Sequence, residues 1–346
     1  MALAVPLDYP PMEAKPVGAL PEGDAWQYEP KWDGFRCLAF KDGADIDLRS
    51  KSGQPLERYF PEIADAMRAL CAPRCVLDGE LVVPDGNRLS FDELLMRIHP
   101  AASRVRKLAL DHPALYVVFD LLVDARGNSL VAVPLLARRA ALEHFAAQVL
   151  ADAPSFRLSP HTRSRDVAHA WLAATGSAID GIIAKRTDVE YRSGERTGMQ
   201  KFKQMRTADC AVGGFRYGAK TSVVGSLLLG LYDDAGLLHH VGFTSNIPQR
   251  ERAALTRTLE QMVEKPGFSG RAPGGPSRWS TERSGEWKPL RPRLVAEVRY
   301  DHFSGERFRH GTSFLRWRPD KAPGQCTFEQ VSHASGGTLA LLDAGT

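Results

Sequence analysis

YEPKWDGFR, residues 28–36, sets a single lysine, Lys31, between a short apolar run and an aspartate–glycine pair. WQYEP (26–30) reads as a strand that ends just before it. After it, FRCLAF (35–40) and ADIDLRS (44–50) flank KDG, the signature of a β-hairpin. Lys31 is therefore expected on the connection between a strand and a hairpin, where loops present functional groups. No basic cluster surrounds it. A lysine that acts as a nucleophile must first lose a proton, and its solution pKa of about 10.4 opposes this. Partial burial and neighbouring cations would lower that barrier. Asp33 could orient the amine, and Gly34 could let the backbone turn close to a substrate. For KxDG alone, a solvated lysine at a hairpin entry is the plain alternative, because so short a pattern recurs by chance.

The segments around this stretch read as a mixed α+β domain of about 200 residues, the size of one ordinary domain. RCVLDGELVVP (74–84) and ALYVVFDLLV (114–123) have strand composition, the second apolar enough to be buried. Ser90 with Glu93 three residues on forms a capping box that opens a helix in SFDELLMRI (90–98). PLLARRAALEHFAAQVL (134–150) and SRDVAHAWLAATG (164–176) have helical periodicity, and DGIIAKR (180–186) and MQKFKQM (199–205) are strand-like. After RTADC (206–210) the texture changes to strands with tight turns: DCAVGGFRYG, GSLLLGLYDDAGLLHHVGFTS and RLVAEVRYDHF. One helix, PQRERAALTRTLEQMVEK (248–265), interrupts them. Short strands plus one helix fit a small barrel of the OB type. The Gly/Pro-rich stretch 266–278 reads as a long loop and the last dozen residues as a weakly ordered tail. The expected division is 1–206, 207–330 and a tail at 331–346.

Composition excludes several classes. The chain has 346 residues, 43% of them hydrophobic and 25% charged, enough to bury real cores. No segment is apolar for long enough to span a membrane, and the N-terminus has no secretory pattern. The five cysteines (37, 71, 75, 210 and 326) form no CxxC pair and are expected as buried, reduced thiols of a cytoplasmic protein. The net charge of +4 is concentrated: residues 281–321 hold ten Lys+Arg against six Asp+Glu, and the rest balances. A local basic surplus points to a polyanion, with an ordinary solvated surface as the alternative.

YEPKWDGFR, LRSKSG, LDGEL, VVFDLL, DGIIAK and KFK occur in this order, mostly at predicted strand ends, and RWRPDK follows in the second domain. Together they resemble the covalent nucleotidyltransferase superfamily: DNA ligases, RNA ligases and mRNA capping enzymes. More narrowly the chain is similar to bacterial ATP-dependent DNA ligases of the ligase C type, stand-alone relatives of the ligase domain of ligase D. The resemblance runs from about residue 9 to about residue 324. It implies a nucleotidyltransferase (adenylation) domain of antiparallel sheets with helices, followed by an OB-fold barrel. It also implies ATP and Mg²⁺ as cofactors, with Mn²⁺ able to substitute. The implied substrate is nicked duplex DNA, gripped by a nucleoid-associated monomer of only two domains. A repair polymerase or primase-polymerase is the partner the family suggests.

Roles follow residue by residue from the resemblance. Lys31 attacks the α-phosphorus of ATP, with Asp33 setting its geometry and Pro30 counted among the residues that bind the nucleotide. Glu29 reads the adenine amino group and Phe119 stacks on the ring; without the motifs, Glu29 would read as a surface carboxylate and Phe119 as core. Arg36 and Arg49 contact nucleotide and nick phosphates through their forked donors. Glu80 binds ribose or metal, together with Asp180; Asp78 serves a turn or the site. Lys185, Lys201 and Lys203 hold the AMP phosphate and the leaving pyrophosphate. Lys201 and Lys203 alternate on a strand and so share a face, which a solvated sheet edge would also explain. Arg318, Asp320 and Lys321 orient the β- and γ-phosphates of ATP as the barrel closes, about a hinge within 204–209 for which Arg206 and Asp209 are candidates.

Three positions depart from the usual pattern: Asp180 stands where glutamate is common, Met199 where tryptophan is, and Glu13 where ligase D relatives often carry an apolar residue. Asp180 would then reach its metal or ribose over a longer path or through water. The competing readings are an RNA ligase, a capping guanylyltransferase and a non-catalytic OB-type nucleic-acid binder. An NAD-dependent ligase is disfavoured, because its nicotinamide region and four-cysteine zinc module are missing.

Overall fold

The computed structural model describes residues 2–175, 179–274, 286–332 and 337–343. The chain divides into two compact units, one of residues 1–203 with 335–346, the other of 204–334.

The first unit is built on two sheets. The hairpin foreseen around KDG forms: Phe35–Asp42 pairs antiparallel with Asp45–Ser50, and Gly43 adopts the positive φ its turn needs. Arg74–Val82, Leu115–Val123 and Phe156–Leu158 complete a five-stranded sheet. A second sheet orders Lys15–Val17, Met199–Phe202, Ile182–Arg186 and Trp26–Pro30.

Alternation along the strands decides which residues meet. In the five-stranded sheet Cys37, Ala39, Cys75 and Leu77 face one way, into a core with Ile63, Met67, Leu142 and Phe145 of the helices Pro61–Ala69 and Leu135–Phe145. Leu38, Phe40 and Val76 face the other way and pack with Met12, Tyr191 and Met199. The cleft between the sheets therefore receives Arg36, Asp78 and Glu80 from one side. From the other it receives Glu29, Ile183, Lys185 and Lys201, which lie on one face of paired strands (Glu29 opposite Ile183, Ile183 opposite Lys201).

Local signals act as expected in most places. Ser90 caps the helix Phe91–Met96 by accepting from the Glu93 amide at 3.2 Å. The helix Pro61–Ala69 was not foreseen; its last carbonyls are satisfied by the buried Lys41, whose ammonium donates to Met67 O and Arg68 O at 2.9 and 2.7 Å. The helix Ala102–Asp111 was also not foreseen. Residues expected as a loose tail include a short helix, Thr338–Asp343, whose Leu342 is fully buried with Leu20, Trp32 and Val117. Among the cysteines, Cys71 is exposed and the other four are buried and unpaired.

The second unit is β-rich. Leu238–Thr244, Val224–Tyr232, Arg206–Tyr217, Val295–Tyr300 and Ser313–Trp317 form an antiparallel sheet in that order. Its two ends meet: Thr312 donates to Phe243 O, and Thr244 Oγ1 donates to Thr312 O at 3.0 Å. The sheet thus curls toward a closed barrel, as the OB-type reading requires. The foreseen helix covers Gln249–Glu260, and the part of the Gly/Pro-rich stretch within 266–274 buries Phe268 in the barrel core. Residues 275–278 of that stretch lie outside the described residues. Of the stretch 204–209 read as a hinge, Arg206 and Asp209 are rungs of the barrel ladder, opposite Tyr300 and Glu297, while Gln204 and Met205 lie outside any strand.

No helix among the described residues is long and apolar enough to cross a membrane.

Candidate active site

Lys31 follows the strand Trp26–Pro30 and is pinned by backbone hydrogen bonds on both sides. Its amide donates to Gly181 O, and its carbonyl accepts from the Asp180 amide, each at 2.9 Å. Gly181 has φ +140°, and a Cβ there would lie 2.0 Å from Phe202 O, so only glycine fits. Gly34 is fixed by the same kind of packing. A Cβ on it would meet Leu81 O at 2.2 Å, so its close approach is to the neighbouring strand rather than to a substrate.

This backbone clasp sets the Lys31 ammonium directly against Asp180 Oδ2. Lys203 reaches the other oxygen of the same carboxylate at 3.3 Å. Burial pushes the Asp180 carboxyl up, but the charges and hydrogen bonds of Lys31 and Lys203 outweigh it and hold its pKa low. Asp180 is thus spent on two ammonium groups, a direct contact rather than the long or water-bridged metal or ribose contact the sequence suggested. Lys201 shares the crowding. Burial first, and then the charges of Lys31, Lys203, Lys51 and Arg196, lower its pKa.

Glu80 is the opposite case. Burial raises its pKa to about 7 against the pull of Lys31 and Arg36. No hydrogen bond to its carboxylate is formed among the described residues. Asp78, ambiguous in sequence, has no exposure at all. It takes a two-pronged contact from Arg36, Nε at 2.5 Å and Nη2 at 2.6 Å, and accepts from the Tyr191 hydroxyl at 2.6 Å. Tyr191 in turn accepts from the Met12 amide at 2.9 Å.

Phe119 lies against two cations, with the Arg36 guanidinium 4.4 Å and the Lys185 ammonium 4.6 Å from its ring centre. Lys185 is buried and donates to Glu29 Oε2 at 2.8 Å, and Gln27 donates to Glu29 Oε1 at 2.9 Å. Glu29 is therefore a buried carboxylate, not the surface one its type alone would suggest. Two expected phosphate ligands carry carboxylates here: Arg36 is held by Asp78 and Lys185 by Glu29.

Between the sheets these side chains enclose a cavity of about 220 Å³, lined by Glu29, Lys31, Arg36, Glu80, Phe119 and Lys185. Pro30 and Lys201 also border it. Arg49 does not. It grips Asp47 at 2.6 and 2.7 Å beside a neighbouring hollow, while Lys51, two residues on, lines the cavity. Lys51 lies inside the LRSKSG stretch, so this cation is readable from the sequence alongside Arg49. Glu13, which had no assigned consequence, bridges Lys51 at 3.1 Å and Arg196 at 2.9 Å on the cavity wall. Tyr191 had no motif to reveal it. Asp33 lies in the turn after Lys31 and is not among the cavity-lining residues. Arg318 and Lys321 belong to the second unit, where both contact Asp209.

No group of three or more His, Cys, Asp or Glu among the described residues could hold a metal by itself. Glu80 suits a Mg²⁺ bound through one carboxylate plus phosphate oxygens and water, the usual arrangement for that ion. Asp180, engaged by two lysines, does not suit it.

The sequence matches the family described as ATP dependent DNA ligase domain over residues 11–203. It matches the ATP dependent DNA ligase C terminal region over residues 220–321. It is 43% identical over 343 residues to DNA ligase C2 of Mycolicibacterium smegmatis, covering 93% of each chain. It is 30% identical over 308 residues to the multifunctional non-homologous end joining DNA repair protein LigD of Mycobacterium tuberculosis, covering 88% of this chain and 37% of that protein. A solved Lig E DNA ligase, 18% identical, covers 89% of this chain and 99% of its own with a TM-score of 0.55, a likeness of fold alone. With both family regions matched in order and a ligase C relative matched along nearly its whole length, the chain belongs to the ATP-dependent DNA ligases, on their ligase C branch.

Proposed function

We propose that this ligase seals 5′-phosphate/3′-OH nicks in duplex DNA through a covalent adenylate on Lys31. The Lys31 amine attacks the α-phosphorus of ATP, forming an N–P bond as pyrophosphate leaves. The AMP passes to the 5′-phosphate of the nick, freeing the lysine, and the 3′-OH displaces AMP to form the phosphodiester. Each step places negative charge on phosphorus and its oxygens, which positioned cations stabilise. The observation that carries the assignment is the meeting of Lys31 and Lys203 on the one carboxylate of Asp180, with Lys201, on the cavity wall beside Lys31, close enough that their charges help lower its pKa.

Asp180 orients the Lys31 amine, and Lys201 and Lys203 face the phosphates. Glu29, Lys185 and Phe119 form the buried wall suited to a purine. Glu80 is the residue that would hold Mg²⁺, which when bound supplies charge neutralisation at the phosphates, with Mn²⁺ as a substitute. Arg318 and Lys321 meet the β- and γ-phosphates in the first step. The duplex is gripped by sequence-independent phosphate contacts, and likeness to a LigD repair protein points to DNA repair, alongside a repair polymerase or primase-polymerase.

The test is incubation with α-labelled ATP and Mg²⁺, then a denaturing gel, with Lys31→Ala and labelled GTP alongside. Label should be retained by wild type from ATP and lost in the variant. Label from GTP, or retention by Lys31→Ala, would refute the assignment.

A further inference from the structure

Asp209 sits near the start of the strand Arg206–Tyr217, with its side chain 11% exposed. Arg318 Nη1 donates to both of its oxygens, at 3.1 and 2.9 Å, and Lys321 Nζ donates to Oδ2 at 2.9 Å. One carboxylate thus fixes both cations of the RWRPDK segment. Asp209 itself cannot drift. Its amide donates to Gln330 Oε1 at 3.0 Å, its carbonyl accepts from Gln330 Nε2 at 3.1 Å, and it stands opposite Glu297 in the ladder.

The rest of the Arg318 fork is held differently. Nε and Nη2 grip Asp320 at 2.8–3.2 Å, and the Asp320 side chain is 62% exposed on the turn that returns to Lys321. Arg318 therefore has one edge on a braced, nearly buried carboxylate and the other on a solvent-facing one. An anion arriving from solvent can exchange with Asp320, but it has no comparable route to Asp209. A guanidinium anchored by one edge presents the other in a fixed direction, which is what two-pronged recognition of a phosphate requires.

We infer that Asp209 is a positioning residue for the ATP-dependent step: it anchors Arg318 and Lys321 so that the Asp320-facing edge of Arg318, which an incoming phosphate can take over, and the Lys321 ammonium meet the phosphates of ATP together. This rests on the role given to those two cations above. The opposite role, a carboxylate that holds the cations back from ATP, predicts the opposite sign.

The experiment uses the full chain and two assays on Asp209→Asn. One is the rate and KM for ATP of covalent AMP formation. The other is sealing of a synthetic pre-adenylated nick, which needs no ATP and no pyrophosphate contact. Loss of at least tenfold in kcat/KM for adenylation is expected, with sealing of the pre-adenylated nick kept within about twofold. A fold defect would lower both. Asp209→Glu keeps the charge and shifts it by one methylene, so it guards against a variant that does not fold; the same split, smaller in size, is expected. Adenylation at or above the wild-type rate in either variant, or equal loss in both assays, overturns the inference. Absence of label in wild type would instead overturn the functional reading.

Discussion

The cost of ionising Glu80 can be read from stability. Its pKa is pushed up to about 7 from an ordinary 4.5, with burial as the largest cause. A carboxyl whose pKa is raised by folding contributes stability that is fully present below its unfolded pKa and is lost as pH rises through the folded one. At 1.36 kcal/mol per unit, ionisation at Glu80 costs the folded state about 0.8 kcal/mol at pH 5 and about 3.3 kcal/mol at pH 8. Glu80→Gln removes the titration and nearly keeps the shape. The variant should therefore gain on wild type by about 2.5 kcal/mol between pH 5 and pH 8, roughly 5–10 °C in Tm for a unit of this size. Urea denaturation of both proteins in ligand-free buffer at the two pH values measures it. The same variant should lose adenylation, a trade of activity against stability that is common where a site buries charge. A stability difference that is the same at pH 5 and pH 8 would refute the reasoning, because then burial does not hold the Glu80 proton.

Two further outcomes follow from the geometry. Asp78→Ala leaves the Arg36 guanidinium without its buried partner and should cost about 3–5 kcal/mol, whereas Tyr191→Phe removes one hydrogen bond to that carboxylate and should cost about 1–3 kcal/mol. Urea titration separates them, and equal costs would mean that the Arg36 pair does not carry the network. Affinity for a nicked duplex should fall steeply with salt, by tenfold or more between about 50 and 200 mM, if phosphate contacts dominate. A flat profile in a filter-binding or anisotropy titration would contradict this.

Local patterns carried most of the fold. The hairpin around KDG, the Ser90 cap and the strand 115–123 declared themselves because turn chemistry, caps and apolar runs act over a few residues. The helices Pro61–Ala69 and Ala102–Asp111 were harder to see. Neither has a side-chain cap, and one is closed by Lys41, some two dozen residues earlier. The site was legible as residue types, not as partnerships. Strand alternation shows that Lys185 and Lys201 share a face. It cannot show that Lys185 meets Glu29 across 156 residues, or that Arg36 meets Asp78 across 42. Cations expected on phosphates therefore stand on carboxylates, and Tyr191, whose task is to hold one of those carboxylates, had no local signature.

The two carboxylates nearest the chemistry are separated by environment rather than by type. Asp180 is mostly shielded from solvent but faces two ammonium groups, so its pKa is low and it stays anionic against Lys31. Glu80 is half-buried; the loss of solvent around its carboxylate outweighs the charges of Lys31 and of Arg36, whose fork is committed to Asp78, so its pKa rises. Such a split assigns different tasks to like groups. Asp180 can only orient and hold, because an additional cation would have to displace two that are already in place. Glu80 gains most from any positive charge that arrives with a nucleotide, and the energy it recovers is the cost that burial imposes on its ionised form. A glutamate in place of Asp180 would extend one methylene further into the same pair of lysines. The aspartate at this position therefore fits a carboxylate that clasps the lysine from directly beneath, with the backbone bonds between Lys31, Asp180 and Gly181 setting the distance.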